Sequence, residues 1–123
     1  MAKTNKTIWR SDQKAAQDIA TGAGAMSVTF DPEGSCRLYQ INIHLSAQAT
    51  TEENLTISID SANGTEYDAK ILSKAMSGVQ DVIITTYDIG EFYMFGADKL
   101  VASWTNTDSR TWGLEIIYRR FNP

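Results

Sequence analysis

The single histidine of this sequence, His44, is the first residue to test for catalysis. Asn42 and Ser46 flank it at a spacing of two residues, so all three share one face of an extended chain. A serine–histidine–carboxylate relay needs a serine held beside the imidazole, and no Gly-x-Ser-x-Gly turn supplies one. We therefore interpret His44 as a solvated or hydrogen-bonded strand residue, and we predict no enzymatic activity.

Two arrangements in the sequence raise the question of metal binding. His44 and the single cysteine, Cys36, make one pair, but a zinc site needs three or four ligands. Oxygen-bearing side chains at a spacing that would suit calcium form a second group, which consists of Asp60, Asn63, Glu66 and Asp68. Hairpin tips collect Asp and Asn for turn formation alone, and the order of an EF-hand loop is missing. We predict neither a metal site nor a cofactor, and we leave a cation at Asp60, Glu66 and Asp68 open.

Aromatic side chains give a third kind of candidate site, a platform on which sugars stack. Trp104 and Trp112 share the parity of the aliphatic residues around them, which assigns both to the core. Tyr39 is assigned to the core for the same reason. The aromatic residues that remain as exposed platforms are Trp9, Tyr67, Tyr87 and Tyr93. A carbohydrate-binding jelly-roll module on a phage fibre or another surface structure is therefore the alternative function.

Alternation of apolar and polar residues with a period of two dominates the chain from residue 25 onward. Seven or eight such segments recur at spacings of about ten residues, with polar turns between them. This rhythm predicts an all-β fold, an antiparallel two-sheet β-sandwich that is jelly-roll-like and has about eight strands. The residues predicted to form its core are Ile41, Ile43, Leu55, Ile57, Ile59, Leu100, Trp104, Leu114 and Ile116.

The same patterns predict four local features. Residues 99–104 and 112–119 alternate on either side of a polar connection, which is typical of an antiparallel hairpin. The Asn63-Gly64 pair predicts a hairpin turn, because both residues tolerate a positive φ. Residues 13–20 are expected to form one helical turn, which the Gly22-Ala-Gly24 stretch ends. Apolar residues on both faces of segment 82–87 predict a strand that is covered on both sides.

Length and composition narrow the function classes. The 123 residues suffice for one domain, which we divide into an N-terminal arm at 1–12 and a sandwich domain at 13–123. A net charge of −4 argues against nucleic-acid binding, because a protein needs a basic surface to bind phosphate groups. No apolar segment resembles a signal peptide or reaches the length of a membrane span. We expect synthesis in a host cytoplasm, without secretion by a signal peptide, and neither nucleic acid nor membrane as a partner.

Four segments resemble small β-sandwich proteins encoded among the structural genes of tailed bacteriophages. They are Leu55-Thr-Ile-Ser-Ile-Asp60, Tyr67-Asp68, Asp98-Lys-Leu-Val-Ala-Ser-Trp-Thr-Asn106 and Trp112-Gly-Leu-Glu-Ile-Ile-Tyr118. The resemblance extends over residues 37–120 and consists of strand and turn patterns. It implies a non-enzymatic protein of the virion, in particular a head decoration or cement protein that stabilises the capsid. It also implies a major capsid protein or another virion protein as partner, and it brings no catalytic residue.

The N-terminal arm is the predicted contact with that partner. Ile8 and Trp9 are its only large apolar residues, and basic side chains flank them. A segment this short cannot fold alone, so it becomes ordered when it docks. We predict that Ile8, Trp9 and Arg10 contact the partner. We also predict a homo-oligomer, with a trimer favoured, because several linked contacts add avidity.

Overall fold

The computed structural model describes residues 16–85 and 92–121, which form two antiparallel sheets packed face to face. The strands are β1 (Ala16–Gly22), β2 (Met26–Phe30), β3 (Cys36–Leu45), β4 (Asn54–Asp60), β5 (Ala69–Ala75), β6 (Asp81–Thr85), β7 (Phe92–Met94), β8 (Lys99–Trp104) and β9 (Trp112–Arg120). The first sheet has the strand order β1-β9-β3-β6, with β7 also pairing with β3, and the second has the order β2-β8-β4-β5. No described helix is long and apolar enough to cross a membrane. The predicted β-sandwich is confirmed, with nine strands in the described part of the chain.

The strand pairs are nested one inside another. β4 pairs with β5, β3 with β6 and β7, β2 with β8, and β1 with β9, and every pair is antiparallel. One long hairpin gives this arrangement when it is rolled up so that successive pairs fall alternately into the two sheets. That arrangement is the jelly roll.

The rolled topology corrects the expected hairpin at residues 99–119. β8 lies between β2 and β4, whereas β9 lies between β1 and β3 in the other sheet. Residues 105–111 therefore cross from one sheet to the other instead of joining paired strands. The hairpin prediction was wrong because alternation shows that a strand has one buried face, not which strand lies beside it.

The core between the sheets is apolar and matches the predicted parity. All nine residues predicted for the core are buried, and the side chains of Trp104 and Trp112 are only 2% and 5% exposed. Tyr39 is the exception, because a bulge between Leu38 and Gln40 shifts the register of β3 against β9. Leu38 takes the inward position, and Tyr39 is left only partly buried.

Of two further local predictions, one was wrong and one is confirmed. Residues 16–20 lie in β1 rather than in a helical turn, because β9 offers this segment a complete antiparallel ladder. The predicted hairpin at the Asn63-Gly64 pair is confirmed, because β4 and β5 pair antiparallel on either side of it. Its connection spans residues 61–68 and contains a 3-10 turn at Thr65–Tyr67. Gly64 adopts a positive φ of 127° there, as the prediction requires of it.

Candidate interaction face

The face of the first sheet that points away from the core, here called the outer face, exposes large apolar side chains. Ile19 on β1 is 72% exposed and Ile83 on β6 is 65% exposed. The prediction that segment 82–87 is covered on both sides is therefore wrong for Ile83. These two isoleucines lie in one cross-strand row, because Ile19 is level with Glu115, Glu115 with Asn42, and Asn42 with Ile83.

A hydrogen-bonded polar group occupies the middle of that row. Asn42 donates from Nδ2 to Glu115 Oε1 over 2.7 Å, and Gln17 donates from Nε2 to the other carboxylate oxygen. Gln40 in turn donates from Nε2 to Asn42 Oδ1 over 2.8 Å. Donation by Asn42, and then by Gln17, lowers the pKa of Glu115 below its usual range. Glu115 is therefore a fixed negative charge on the outer face.

The next row along the strands forms a recess. Gly113 lies level with Thr21 and His44, and no atom lies within 4 Å of the place where a Cβ of residue 113 would stand. An open groove of about 520 Å³ is centred on this part of the sheet. His44 borders the groove, and its Nδ1 lies 2.5 Å from Asp81 Oδ1. His44 is thus an exposed, hydrogen-bonded strand residue, as predicted.

The opposite end of the outer face carries an aromatic cluster formed by Tyr93, Phe95 and Phe121. The ring of Tyr93 stacks on Phe95 at 6.3 Å and on Phe121 at 5.6 Å between centroids. Exposed fractions of 39% for Tyr93, 61% for Phe95 and 45% for Phe121 leave the cluster open to solvent. Ser35 fixes its backbone, because Phe121 N donates to Ser35 O and Gly96 N donates to Ser35 Oγ.

Two arginines border this cluster. Arg37 lies level with Tyr93 on one side and with Arg119 on the other. The guanidinium carbons of Arg37 and Arg119 lie 5.0 and 5.5 Å from the centroid of the Tyr39 ring, which is cation–π distance. Among the described residues, the outer face therefore carries aromatic rings and two arginines at one end, and Asp81 and His44 at the other.

Some of the residues predicted to form a site lie where they were expected, and others lie outside the described part of the chain. Tyr93 is exposed as predicted, and so is Tyr67 at 65%. Ile8, Trp9 and Arg10, which were predicted to contact a partner, lie outside the described residues, as do Tyr87 and the arm at 1–12. Asp68 accepts a hydrogen bond from Ser61 N at 2.8 Å, which is a role in the turn. Within residues 16–85 and 92–121, no three histidine, cysteine or acidic side chains gather in a way that could hold a metal ion.

Asp108 joins its own loop to the loop that contains Thr50 and Thr51. Its carboxylate accepts hydrogen bonds from the backbone N–H groups of Thr50 and Thr51 at 2.7 and 3.0 Å, and from both threonine hydroxyls. These bonds, led by the backbone N–H of Thr50, hold the pKa of Asp108 well below its usual range. Sequence reasoning missed Asp108, because its partners are more than fifty residues away along the chain.

Asn106 joins two further loops from a buried position. Its Nδ2 donates to Gly24 O at 2.8 Å and to Arg110 O at 2.9 Å, and its Oδ1 accepts from Arg110 N at 2.9 Å. The side chain is 3% exposed, and the residue has a φ of 53°, in the left-handed region that Asn tolerates. Sequence reasoning missed Asn106 as well, although an Asn after a buried strand is a recognised turn signal.

Comparisons with known proteins give several distant structural likenesses. No protein-family model matches the sequence, and no curated protein matches it either. The chain is similar to a Drosophila NLP core, studied for pentamer formation and histone binding, with a TM-score of 0.49 and 18% identity over 85% of this chain and 98% of that one. It is also similar to a structure of Tomato Aspermy Virus, with a TM-score of 0.33 and 7% identity over 94% of this chain and 82% of that one. At these values neither likeness carries an argument about function.

Proposed function

We propose that this protein is a non-enzymatic structural component of a virus particle that acts through protein–protein contacts. The observation that supports this proposal is the apolar exposure of the outer face, where the rings of Tyr93, Phe95 and Phe121 form a cluster that is open to solvent. Ile19 and Ile83, on the strands at either side of the same face, are each more than 60% exposed. Apolar groups clustered on one surface are typical of protein contact sites. Glu115 and Asn42 between them are already hydrogen-bonded, so little side-chain freedom is lost when a partner binds.

The specific role that we propose is decoration of a bacteriophage head. The resemblance over residues 37–120 supports it, and the particle partner would be the major capsid protein. A protein that binds only the assembled shell stabilises that state by mass action. In this proposal the N-terminal arm contacts the shell through Ile8, Trp9 and Arg10. A homotrimer would multiply these contacts and raise the avidity.

The proposal implies that a major capsid gene neighbours the gene for this protein, and the test is co-sedimentation with empty heads assembled from that gene's product. Full-length protein should sediment with the heads at a fixed copy number and raise the temperature at which they disassemble. A protein that lacks residues 1–10 should keep its own melting temperature and lose most of the binding. An Ile8→Ala/Trp9→Ala variant should behave like the truncated protein, and a Lys3→Ala/Lys6→Ala variant serves as the matched control for the same arm.

Each outcome of this experiment has one meaning. Full-length protein that stays in the supernatant contradicts the proposed role on the head. Truncated protein that is stable and still binds removes the arm from the contact. Truncated protein that unfolds places Trp9 in the core of the domain itself.

Carbohydrate binding is a second candidate, favoured by one observation. The three exposed rings of the aromatic cluster are stacked, with Tyr93 inclined by 19° to Phe95 and by 27° to Phe121. Sugar rings stack on aromatic side chains that are open to solvent, as these three are. Binding on a glycan array that disappears in Tyr93→Ala and persists in Tyr67→Ala would support this function. Tyr67 is the matched control because it is more exposed than Tyr93 and belongs to a different loop.

A further inference from the structure

The edge of the first sheet that β1 forms carries almost no charge. β1 pairs with β9 on one side, and no described strand pairs with it on the other. The unpaired N–H and C=O groups of a sheet edge can bind a further strand, and proteins usually protect such edges with charged side chains. Residues 16–30, which form β1, β2 and the turn between them, contain a single charged residue, Asp18. This end of the sandwich therefore has little protection against pairing with another strand.

The other edges of the two sheets differ from that of β1. β5, at the far edge of the second sheet, carries Lys70 and Lys74, which would face each other if two copies of β5 paired antiparallel about Leu72. The far edge of the first sheet is divided between β6 and β7. β2 has only five residues, and its exposed side chains are polar. β1 has seven residues and exposes the apolar side chain of Ile19.

The backbone of Ile19 directs its hydrogen-bonding groups toward the open edge. Ser46 N donates to Thr111 O at 2.8 Å, so these two residues form a hydrogen-bonded pair of β3 with β9. Such pairs alternate along an antiparallel ladder, and counting from this one directs the backbone groups of Leu114 toward β1. Leu114 lies level with Ala20, so Ala20 bonds to β9. Its neighbour Ile19 therefore directs its N–H and C=O away from β9.

We propose that β1 pairs antiparallel with β1 of a second copy of this chain, about a two-fold axis that passes between the two Ile19 residues perpendicular to the sheet. Each Ile19 then donates its N–H to the Ile19 C=O of the other copy. Gln17 and Thr21, whose backbone groups also point outward, pair with each other across the contact in the same way. The contact contains about six backbone hydrogen bonds and joins the first sheets of both copies into one.

The side chains of β1 suit this pairing with their own copy. The two exposed Ile19 side chains lie opposite each other on the outer face, where each covers apolar surface of the other. Gln17 lies opposite Thr21, and both are uncharged. Asp18 points to the other side of the sheet, where it accepts a hydrogen bond from Tyr118 Oη at 3.2 Å. No like charges lie directly opposite one another in this register.

The position of the axis follows from the same side chains. Moved by one residue toward the N-terminus, the axis would place Asp18 opposite Asp18, and like charges directly opposite one another are destabilising. Moved by one residue in the other direction, it would place each Ile19 opposite Thr21 and leave the apolar pair unmade. Ile19 therefore marks the axis of the contact.

Sedimentation equilibrium of the full chain, at concentrations between about 1 μM and 1 mM, tests the contact. The unchanged protein should form dimers reversibly, or hexamers where a threefold contact is also present. Ile19→Lys should weaken the contact at least tenfold, because two ammonium groups then meet at the axis. Ile83→Lys is the matched control and should not change the assembly, since Ile83 is similarly exposed on the same face but lies on β6. At the highest concentration, a monomer, an odd number of chains, or equal effects of the two lysines overturns the inference.

Disulfide formation provides the second measurement and tests the register. Ile19→Cys places two thiols across the axis, with Cα atoms about 5.5 Å apart in a hydrogen-bonded pair, which a disulfide can bridge. Oxidation should therefore give a covalent dimer in high yield. Gln17→Cys is the matched control on the same strand and face, because residue 17 lies about 14 Å along the strand from its own copy in this register. Cys36 is fully buried, so the unchanged protein serves as the blank. Equal yields from the two variants overturn the inference.

This inference does not depend on the proposed function, and the experiments separate the two. An axis perpendicular to the sheet leaves both outer faces on the same side, so the dimer presents two aromatic clusters to one surface. Heads that bind a protein which forms no dimer leave the proposed function standing and overturn the inference. A dimer that does not bind heads overturns the proposed function and leaves the inference standing.

Discussion

Replacement of Asn106 by alanine should destabilise the protein by about 4 kcal/mol. The change removes three hydrogen bonds to Gly24 and Arg110, and it leaves the backbone N–H and C=O of Arg110 without this partner. Each bond contributes about 1 kcal/mol net, which gives about 3 kcal/mol. Alanine in the left-handed region costs about 1 kcal/mol more. For a domain of this size the melting temperature should fall by roughly 16 °C.

Urea unfolding monitored by tryptophan fluorescence is a suitable assay, because Trp112 donates from Nε1 to the same carbonyl of Gly24 that Asn106 binds. Asn106→Gly is the matched control, since it loses the same hydrogen bonds and has no Cβ to disfavour the positive φ. Its stability should lie between those of the unchanged protein and the alanine variant. A loss below about 1 kcal/mol for Asn106→Ala would refute the hydrogen-bond reasoning, given the usual net value of a single bond.

Three further predictions follow from buried or hydrogen-bonded groups. Trp104→Ala should lower the free energy of unfolding, measured in urea, by about 3–5 kcal/mol, as is usual for a buried large aromatic side chain. Trp104→Phe should lower it much less, because Trp104 Nε1 has no hydrogen-bond partner among the described residues. Folding lowers the pKa of Asp108, so its contribution to stability is complete above the ordinary carboxyl pKa of about 3.9 and is lost as the pH falls below it. Asp108→Asn should therefore be less stable at pH 7 and lose less stability than the unchanged protein between pH 4 and pH 2; equal acid dependence would contradict this. Burial raises the pKa of the Cys36 thiol to about 11, so iodoacetamide at pH 8 should modify Cys36 only at the rate of unfolding, and rapid labelling under native conditions would show that the thiol is accessible.

Alternation in the sequence was sufficient to identify the fold class and the buried faces of the strands. Ile57 and Ile116 were placed in the core by parity alone, and both are fully buried. Parity holds only while the register is regular, and the bulge beside Tyr39 reversed it for that residue. The pairing of strands could not be predicted from local pattern, which is why the crossing at residues 105–111 was taken for a hairpin.

The residues of the outer face were likewise predicted only in part from the sequence. The sequence suggested Tyr93 as an exposed aromatic, but the cluster also contains Phe95 and Phe121, which gather only through the pairing of β7 and β9 with β3. Glu115 and Asn42 are 73 residues apart in sequence, and no local pattern links them. Contacts of this kind depend on strand order, and strand order depends on how the whole hairpin is rolled.

The nested strand pairs have a consequence for the rate of folding. Ser61 and Asp68, at the innermost pair, are seven residues apart, whereas Asp18 and Tyr118, at the outermost pair, are one hundred residues apart. Closure of the outer loop from the open chain costs about 2.4 kcal/mol more in entropy than closure of the inner one. Fast folding therefore requires that the inner pairs form first and bring β1 and β9 together step by step. Until β1 arrives, the edge of β9 that it will cover can accept the β1 strand of a neighbouring chain, so concentrated refolding should favour exchange of this strand between copies.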